Sequence, residues 1–207
     1  RWLPTLAGDS GVAIGVDRFV GMLAQARHAR SAAPLVCADG AALPFLPNAF
    51  DLVASVNALH HVADPAGLIS RCAASLQPGG GLAIVHYDPA KAGQWWYVYD
   101  AFAGTREGDL ARFPRLERIL DWMRDAGLRS VTSRVAETIE RNYSGREVLD
   151  DYFLGKDSNS TLAGLTDAAY ETGVGELHRR IERAEAQSEA QPFEVRMELL
   201  LLAGRKP

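Results

Sequence analysis

"SGVAIGVDRF" (residues 10–19) reads as a short buried strand that ends on an acid. Val12, Ala13, Ile14, Gly15 and Val16 form an apolar run, and Asp17 stands at its carboxyl end. "FVGMLAQARHA" (19–29) follows with Met22, Leu23 and Ala26 on one helical face. The order then repeats. "APLVCAD" (33–39) is a second short strand that again closes on an acid, Asp39, and "FDLVASV" (50–56) is a third. The third is continuously apolar, as a strand covered on both faces is. Next comes a helix with Asp64 as N-cap, Pro65 at its first position, a stripe of Leu68, Ile69, Cys72 and Leu76, and "PGGG" (78–81) as its stop. "LAIVHY" (82–87) is the fourth strand. Short apolar strands separated by helices predict βαβ units, hence an α/β chain with a mainly parallel sheet.

The second half changes character. "PAKAGQWWYVYDAFAG" (89–104) packs five aromatic rings into a stretch that reads as helical. "RLERILDWMRDAGL" (115–128) is an amphipathic helix with Ile119, Leu120 and Met123 inward and Gly127 as its stop. "RSVTSRVAETI" (129–139) alternates like a half-exposed strand. Ser144 and Glu147 form a capping box for a further helix in "SGREVLDDYF", and Leu177, Ile181 and Ala184 mark another over 173–187. "FEVRMELLLLAGRKP" supplies a last strand at 193–203 that reads as antiparallel. The expected organisation is one domain over 1–207, with 89–125 and 140–190 as helical lid segments inside it.

The 207 residues suffice for one domain with a sizeable core. With 47% apolar and 23% charged residues the composition is that of a globular chain. A net charge of −4 argues against nucleic acid as the main partner. No apolar run reaches the ~18 residues that cross a bilayer. Cys37 and Cys72 both sit in apolar stretches and read as buried free thiols, which points to a reducing, cytoplasmic setting. The residues suggest no metal-ligand cluster.

The acids at the strand ends carry the functional argument. Ligands of open parallel sheets bind beyond the carboxyl ends of the strands. A carboxylate has lone pairs enough for both hydroxyls of a ribose, so Asp17 is a candidate ribose binder. It is equally placed to accept from the free amides of the helix that follows. Asp39 carries the same double reading. It can accept from an adenine amino group, with Gly40 letting the backbone come close, or it can bond its own backbone in a turn.

The motifs "GVDRFVGMLAQAR", "CADGAALPFLPNAFDLV", "NALHHVADP" and "LQPGGGLAIV", in this order, resemble those of class I S-adenosylmethionine-dependent methyltransferases, in the branch that includes small-molecule and quinone-biosynthesis enzymes. The resemblance covers residues 1–88. It implies a Rossmann-like fold, S-adenosyl-L-methionine as cofactor and a small-molecule methyl acceptor. It also implies Asp17 on the ribose, Asp39 near the adenine amino group, Gly40 and Ala41 along the adenine, and Asn57 beside the methionine part. Two departures stand out. Position 18, apolar in the family, is Arg18, whose guanidinium can stack on a flat ring in its place. The family's first strand and glycine-rich loop are expected upstream of Arg1, because "RWLPTLAG" (1–8) resembles the helix that follows them. That strand would lie between those ending at Asp17 and Val56, and without it cofactor binding is expected to be weak.

Candidate bases and acceptor contacts gather on the same edge: His60 and His61 on the loop after Asn57, and His86, Tyr87 and Asp88 at the end of the fourth strand. A histidine suits the task best, since its pKa lies near working pH. The edge is singled out, and no individual base is. Trp95, Trp96, Tyr97, Tyr99 and Phe102 either line an apolar acceptor pocket or form the core between lid and sheet. Two other classes remain: a nicotinamide-dependent oxidoreductase, which also places an acid after its second strand, and a non-catalytic scaffold that kept the fold.

Overall fold

A computed structural model describes residues 11–28 and 33–207. The reading of "RWLPTLAG" as a helix lies outside the described residues. Strand β1 (Gly15–Asp17) leads into helix α1 (Val20–His28) and strand β2 (Leu35–Cys37). Strand β3 (Phe50–Val56), a 3-10 turn (Leu59–His61), helix α2 (Pro65–Ser75) and strand β4 (Leu76–Tyr87) follow. The strand-helix alternation is thus present in chain order. β1 pairs with β2 in parallel, and β3 with β4 in parallel. Among the described residues no backbone pairing joins β1 to β3, the place where the resemblance puts a further strand.

β1 and β2 make a sheet of two short strands, too small to cover a helix. Helix α1 therefore buries none of its residues, and Met22, expected inward, is 51% exposed. β3 was expected to be covered on both faces, yet Leu52 is exposed on it, because no neighbour lies beyond β3 among the described residues. Cys37 is likewise exposed rather than buried, while Cys72 is buried in α2.

The remainder is well packed. Asp64 caps α2 by accepting from the Gly67 N–H at 2.8 Å, and Leu68, Ile69, Cys72 and Leu76 are buried as the stripe predicts. β4 begins at Leu76, earlier than its apolar core at 82, because the "PGGG" turn is drawn into the ladder. Strand β5 (Trp95–Trp96), helix α3 (Tyr97–Ala101), helix α4 (Thr105–Arg112) and helix α5 (Leu116–Asp125) come next. The expected helix over 89–104 is therefore a two-residue strand and a five-residue helix. The tryptophans pair with Arg196 and Val195 of the last strand, β7 (Pro192–Arg205), which offers backbone partners that a helix would forgo. In α5, Ile119 and Met123 are fully buried, and Gly127 ends the turn at φ +84°. Burying such a side chain contributes roughly 1.5–3 kcal/mol.

Strand β6 (Arg129–Ser144) is longer than the expected 129–139, so the helical stretch between β6 and β7 starts at Gly145. There the predicted capping box of Ser144 and Glu147 is present, with the Ser144 N–H donating to the Glu147 carboxylate at 2.9 Å. The segment it opens is two 3-10 turns, Gly145–Asp150 and Tyr152–Leu154, rather than an α-helix. Asp151 interrupts it by capping the second turn through the Phe153 N–H at 3.1 Å. Helices α6 (Ser160–Ala163) and α7 (Asp167–Ala186) complete the segment between β6 and β7. β7 is antiparallel to β4 on one side and to β6 on the other, as the last strand was expected to be. One core, around Leu76, Leu82, Ile84, Ile119 and Met123, lies between sheet, α2 and α5. A second, around Phe102, Leu162, Leu177, Ile181 and Phe193, holds these helices to β7.

Candidate functional site

The carboxyl ends of β1, β2, β3 and β4 carry the residues singled out above. Asp17 closes β1, and its Oδ1 accepts the Phe19 N–H at 2.8 Å, the role of a residue that starts a helix. Its Oδ2 has no partner among the described residues. Arg18 is exposed and stacks over the Phe19 ring, its guanidinium carbon 4.7 Å from the centroid. Its carbonyl accepts from the Cys37 thiol at 3.6 Å, which ties the ends of β1 and β2 together.

Asp39 makes the turn that its second reading describes. Its Oδ1 accepts the Ala41 N–H at 2.8 Å and its carbonyl accepts the Ala42 N–H at 2.9 Å. Both Asp39 and Ala41 are exposed. Gly40 lies against α2: a Cβ there would stand 3.2 Å from the Leu68 side chain, and its carbonyl accepts from Arg71 Nε at 2.8 Å. The close approach that glycine permits here is thus to α2. Asn57 turns the chain out of β3 in the left-handed region at φ +47°, which Asn tolerates better than most residues. Its N–H donates to the Val85 carbonyl at 2.9 Å, and its side chain is exposed.

Beyond Asn57 the 3-10 turn presents His60 and His61. Their rings lie 4.0 Å apart, and His60 stacks on Phe113 at 3.9 Å and 21°. Phe113 gathers the edge: the rings of Tyr87 and His86 stand 5.8 and 5.9 Å from it, and the Arg112 guanidinium carbon 4.9 Å. Burial pushes the His60 pKa down to about 3, helped by the charges of His61, Arg112 and His86. Exposed His61 is also lowered, first by partial burial and then by Arg112 and Arg18, with Asp17 pulling the other way. Asp17, Arg18, His61 and Arg112 thus share one electrostatic neighbourhood.

His86 is wholly enclosed. Its Nε2 lies 2.7 Å from the Pro114 carbonyl, which can only accept, so Nε2 carries the proton and Nδ1 is left as a buried lone pair without a partner. Burial lowers its pKa, so the ring is neutral. Asp88 is committed to structure: its carboxylate accepts the Ala90 and Leu116 N–H groups, each at 2.9 Å, and so starts α5. Of the five rings over 95–102, Trp95 lies on the surface beside Arg196, its centroid 5.9 Å from the guanidinium. Tyr99 turns inward, donating to Asp109 Oδ2 at 2.8 Å and lying 3.5 Å from the Tyr87 hydroxyl. Trp96, Tyr97 and Phe102 are core residues. The edge therefore brings together Asp17, Arg18, Asn57 and His61, with Tyr87 behind Phe113. Trp95 does not join them.

Two contributors escaped the sequence reading. Phe113 has no periodic signal, since it falls in the link between α4 and α5. Asp109 and Arg112, spaced i, i+3 on α4, form an ion pair at 2.7 Å that also holds Thr161, which accounts for the positive charge near the histidines. The i, i+3 spacing was the only available cue.

The histidine state carries a prediction. A histidine whose folded pKa lies below its ordinary 6.5 binds fewer protons folded than unfolded, so stability rises with pH. For His60 the stabilisation is present above pH 6.5 and is lost as the pH falls from 6.5 towards 3. Allowing for its partial exposure, the slope is about 0.5 kcal/mol per pH unit. Urea unfolding of wild type and His60→Phe at pH 7, 6 and 5 checks this. The variant, which keeps the stack on Phe113, should show a shallower acid loss, and parallel curves would refute the assignment.

Residues 1–84 match the model of the family described as methyltransferase domain. Demethylmenaquinone methyltransferase of Corynebacterium urealyticum is 34% identical over 82 residues, 40% of this chain and 35% of that protein. The chain thus spans about a third of the length of that curated relative. Among solved structures, a protein of Anabaena variabilis named as a candidate methyltransferase from an antibiotic biosynthesis pathway superposes with TM-score 0.64 at 15% identity, covering 92% of this chain and 80% of that one. Haemonchus contortus phosphoethanolamine N-methyltransferase 2, solved with S-adenosyl-L-methionine, gives 0.54 at 20%, covering 94% and 43%. These likenesses establish the Rossmann-like fold with its antiparallel last strand.

Proposed function

We propose that this chain, whose first 84 residues belong to the methyltransferase domain family, serves S-adenosylmethionine-dependent methyl transfer to a small-molecule acceptor. The observation that carries the reading is the row of groups along the strand ends. Asp17 keeps one carboxylate oxygen without a partner among the described residues, the Asp39–Ala42 turn lies exposed beside it, and the left-handed Asn57 presents its side chain at the end of β3. A ribose diol fits Oδ2 of Asp17, an adenine edge fits the turn at Asp39, Gly40 and Ala41, and an amino-acid tail fits Asn57. Arg18, turned onto Phe19, supplies a flat cationic face in place of an apolar side chain.

When bound, the cofactor supplies an electrophilic sulfonium methyl group, and the protein's part is to orient acceptor and cofactor and to manage a proton. His61 is the exposed histidine of the edge, held neutral next to Arg112 and Arg18, so it can accept a proton or hydrogen bond from an acceptor. His86 and Tyr87, enclosed behind Phe113, shape the wall against which His60 stacks. The helical segments within 89–125 and 140–190 act as the cap over this edge. We place the activity in the cytoplasm and assign no nucleic-acid partner. Among the described residues no helix is long and apolar enough to cross a membrane.

Calorimetric titration of the intact protein with S-adenosylhomocysteine tests the assignment of Asp17. Loss of a charged acceptor costs about 1.5–3 kcal/mol, so Asp17→Ala should weaken binding roughly ten- to a hundredfold. Equal affinity of the two proteins would remove Asp17 from the site. Binding of a nicotinamide dinucleotide in place of S-adenosylhomocysteine would turn the reading to an oxidoreductase.

A further inference from the structure

β6 is bonded to β7 along one edge and, among the described residues, to nothing along the other. All of it but Val131, Ile139 and Tyr143 is exposed. A free edge of this length is a template for another strand. Three observations show which backbone groups face outward. The Glu198 N–H, opposite Thr138, donates away from β6 to Gln94 Oε1 at 2.7 Å. The Glu140 carbonyl accepts from the side chain of Arg141 at 2.8 Å rather than from β7. Pro192, opposite Ser144, has no N–H to give. Thr138, Glu140, Asn142 and Ser144 therefore direct their N–H and C=O groups outward, in the alternation of an antiparallel ladder.

If β6 meets its own copy antiparallel about a two-fold axis, outward residues must oppose outward residues. Over 137–141 that leaves five registers, one centred on each residue. Centring on Glu137, Glu140 or Arg141 sets like charges face to face. Centring on Thr138 sets Glu137 against an apolar Ile139. Centring on Ile139 opposes Glu137 to Arg141 twice, Thr138 to Glu140 twice, and Ile139 to its own mate. Glu137 and Arg141 have no ion-pair partner among the described residues, whereas Glu140 already holds Arg196. Of the three charges within 137–141, the two without an ion-pair partner among the described residues are thus the two that this register pairs.

We propose that β6 joins two copies of this chain into one continuous sheet, in the antiparallel register centred on Ile139. The Thr138 N–H of each copy replaces the Arg141 guanidinium at the facing Glu140 carbonyl, and the freed guanidinium swings to Glu137 of the other copy. The association depends on ion pairs and weakens with salt.

Sedimentation equilibrium of the intact protein over a wide concentration range, at low and high salt, provides the test. Wild type should dimerise reversibly, and less at high salt. Glu137→Arg replaces two ion pairs by two like-charge contacts and should raise the dimer dissociation constant about tenfold or more. The double variant Glu137→Arg/Arg141→Glu should restore it, while circular dichroism checks that each protein is folded. Thr138→Pro removes an outward donor and should also weaken the dimer. A monomer at all concentrations, a dimer indifferent to Glu137→Arg, or a folded double variant that stays monomeric would overturn the proposal.

Discussion

Asp109→Ala is expected to destabilise the protein by about 3 kcal/mol. The Asp109 side chain is 3% exposed, and it accepts from Tyr99 Oη at 2.8 Å, Arg112 Nε at 3.0 Å and Nη2 at 2.7 Å, and Thr161 Oγ1 at 2.8 Å. One carboxylate thus joins α3, α4 and α6. Truncation leaves three side chains with donors that lose their acceptor, one of them charged. The loss falls below the extreme for a buried pair, because the Arg112 side chain is 28% exposed and can turn to water. Asp109→Asn, which keeps one acceptor oxygen but turns an amide towards the donors, should fall between the two. Urea unfolding followed by circular dichroism measures both. A loss under about 1 kcal/mol for the alanine variant would mean that the network is ornamental to the fold.

Phe102→Ala should cost as much or more, about 3–5 kcal/mol. The ring is 1% exposed and sits against α7, where Gly173 lets the helix approach. A Cβ built at Gly173 would fall inside contact distance of Cγ, Cδ1 and Cε1 of that ring, so Gly173→Ala should itself cost about 1–3 kcal/mol by overpacking. The two effects are coupled. With Phe102 already alanine the clash disappears, and the helix preference for alanine over glycine, about 1 kcal/mol, should make Gly173→Ala neutral or stabilising. A double-mutant cycle by chemical denaturation reads this change of sign. Additive costs would contradict the account of why position 173 is glycine.

The parts of the fold that the sequence declared are those governed by local rules. Asp64, Pro65 and the stripe to Leu76 define α2 because capping and periodicity act within a few residues. Val-rich "FDLVASV" is β3 from its first residue to its last. Where a distant partner decides, the sequence misled. Trp95 and Trp96 carry a helix-like neighbourhood yet pair with β7, a strand a hundred residues away, and β6 extends to Ser144 because β7 keeps offering partners. The burial expected of Met22 and of β3 depended on neighbours that no local pattern supplies. In the candidate site the same division holds. Asp17 and Asp39 were visible because each follows a short apolar run, and Asn57 only through the family resemblance that sets it beside the methionine part. Phe113 and the Asp109–Arg112 pair were not, because their part is set by how the cap folds onto the edge. The exclusion of Trp95 came from tertiary pairing alone.

We propose that the carboxyl edge of β1 to β3 holds the cofactor. A crystal structure of the intact protein with S-adenosylhomocysteine tests it most directly. The ribose hydroxyls are expected on Oδ2 of Asp17, the adenine along Asp39 to Ala41, and the amino-acid tail beside Asn57. The same ligand bound elsewhere, for instance in the cleft of about 480 Å³ between Leu149, Tyr170 and His178 in the cap, with the edge empty, would contradict it.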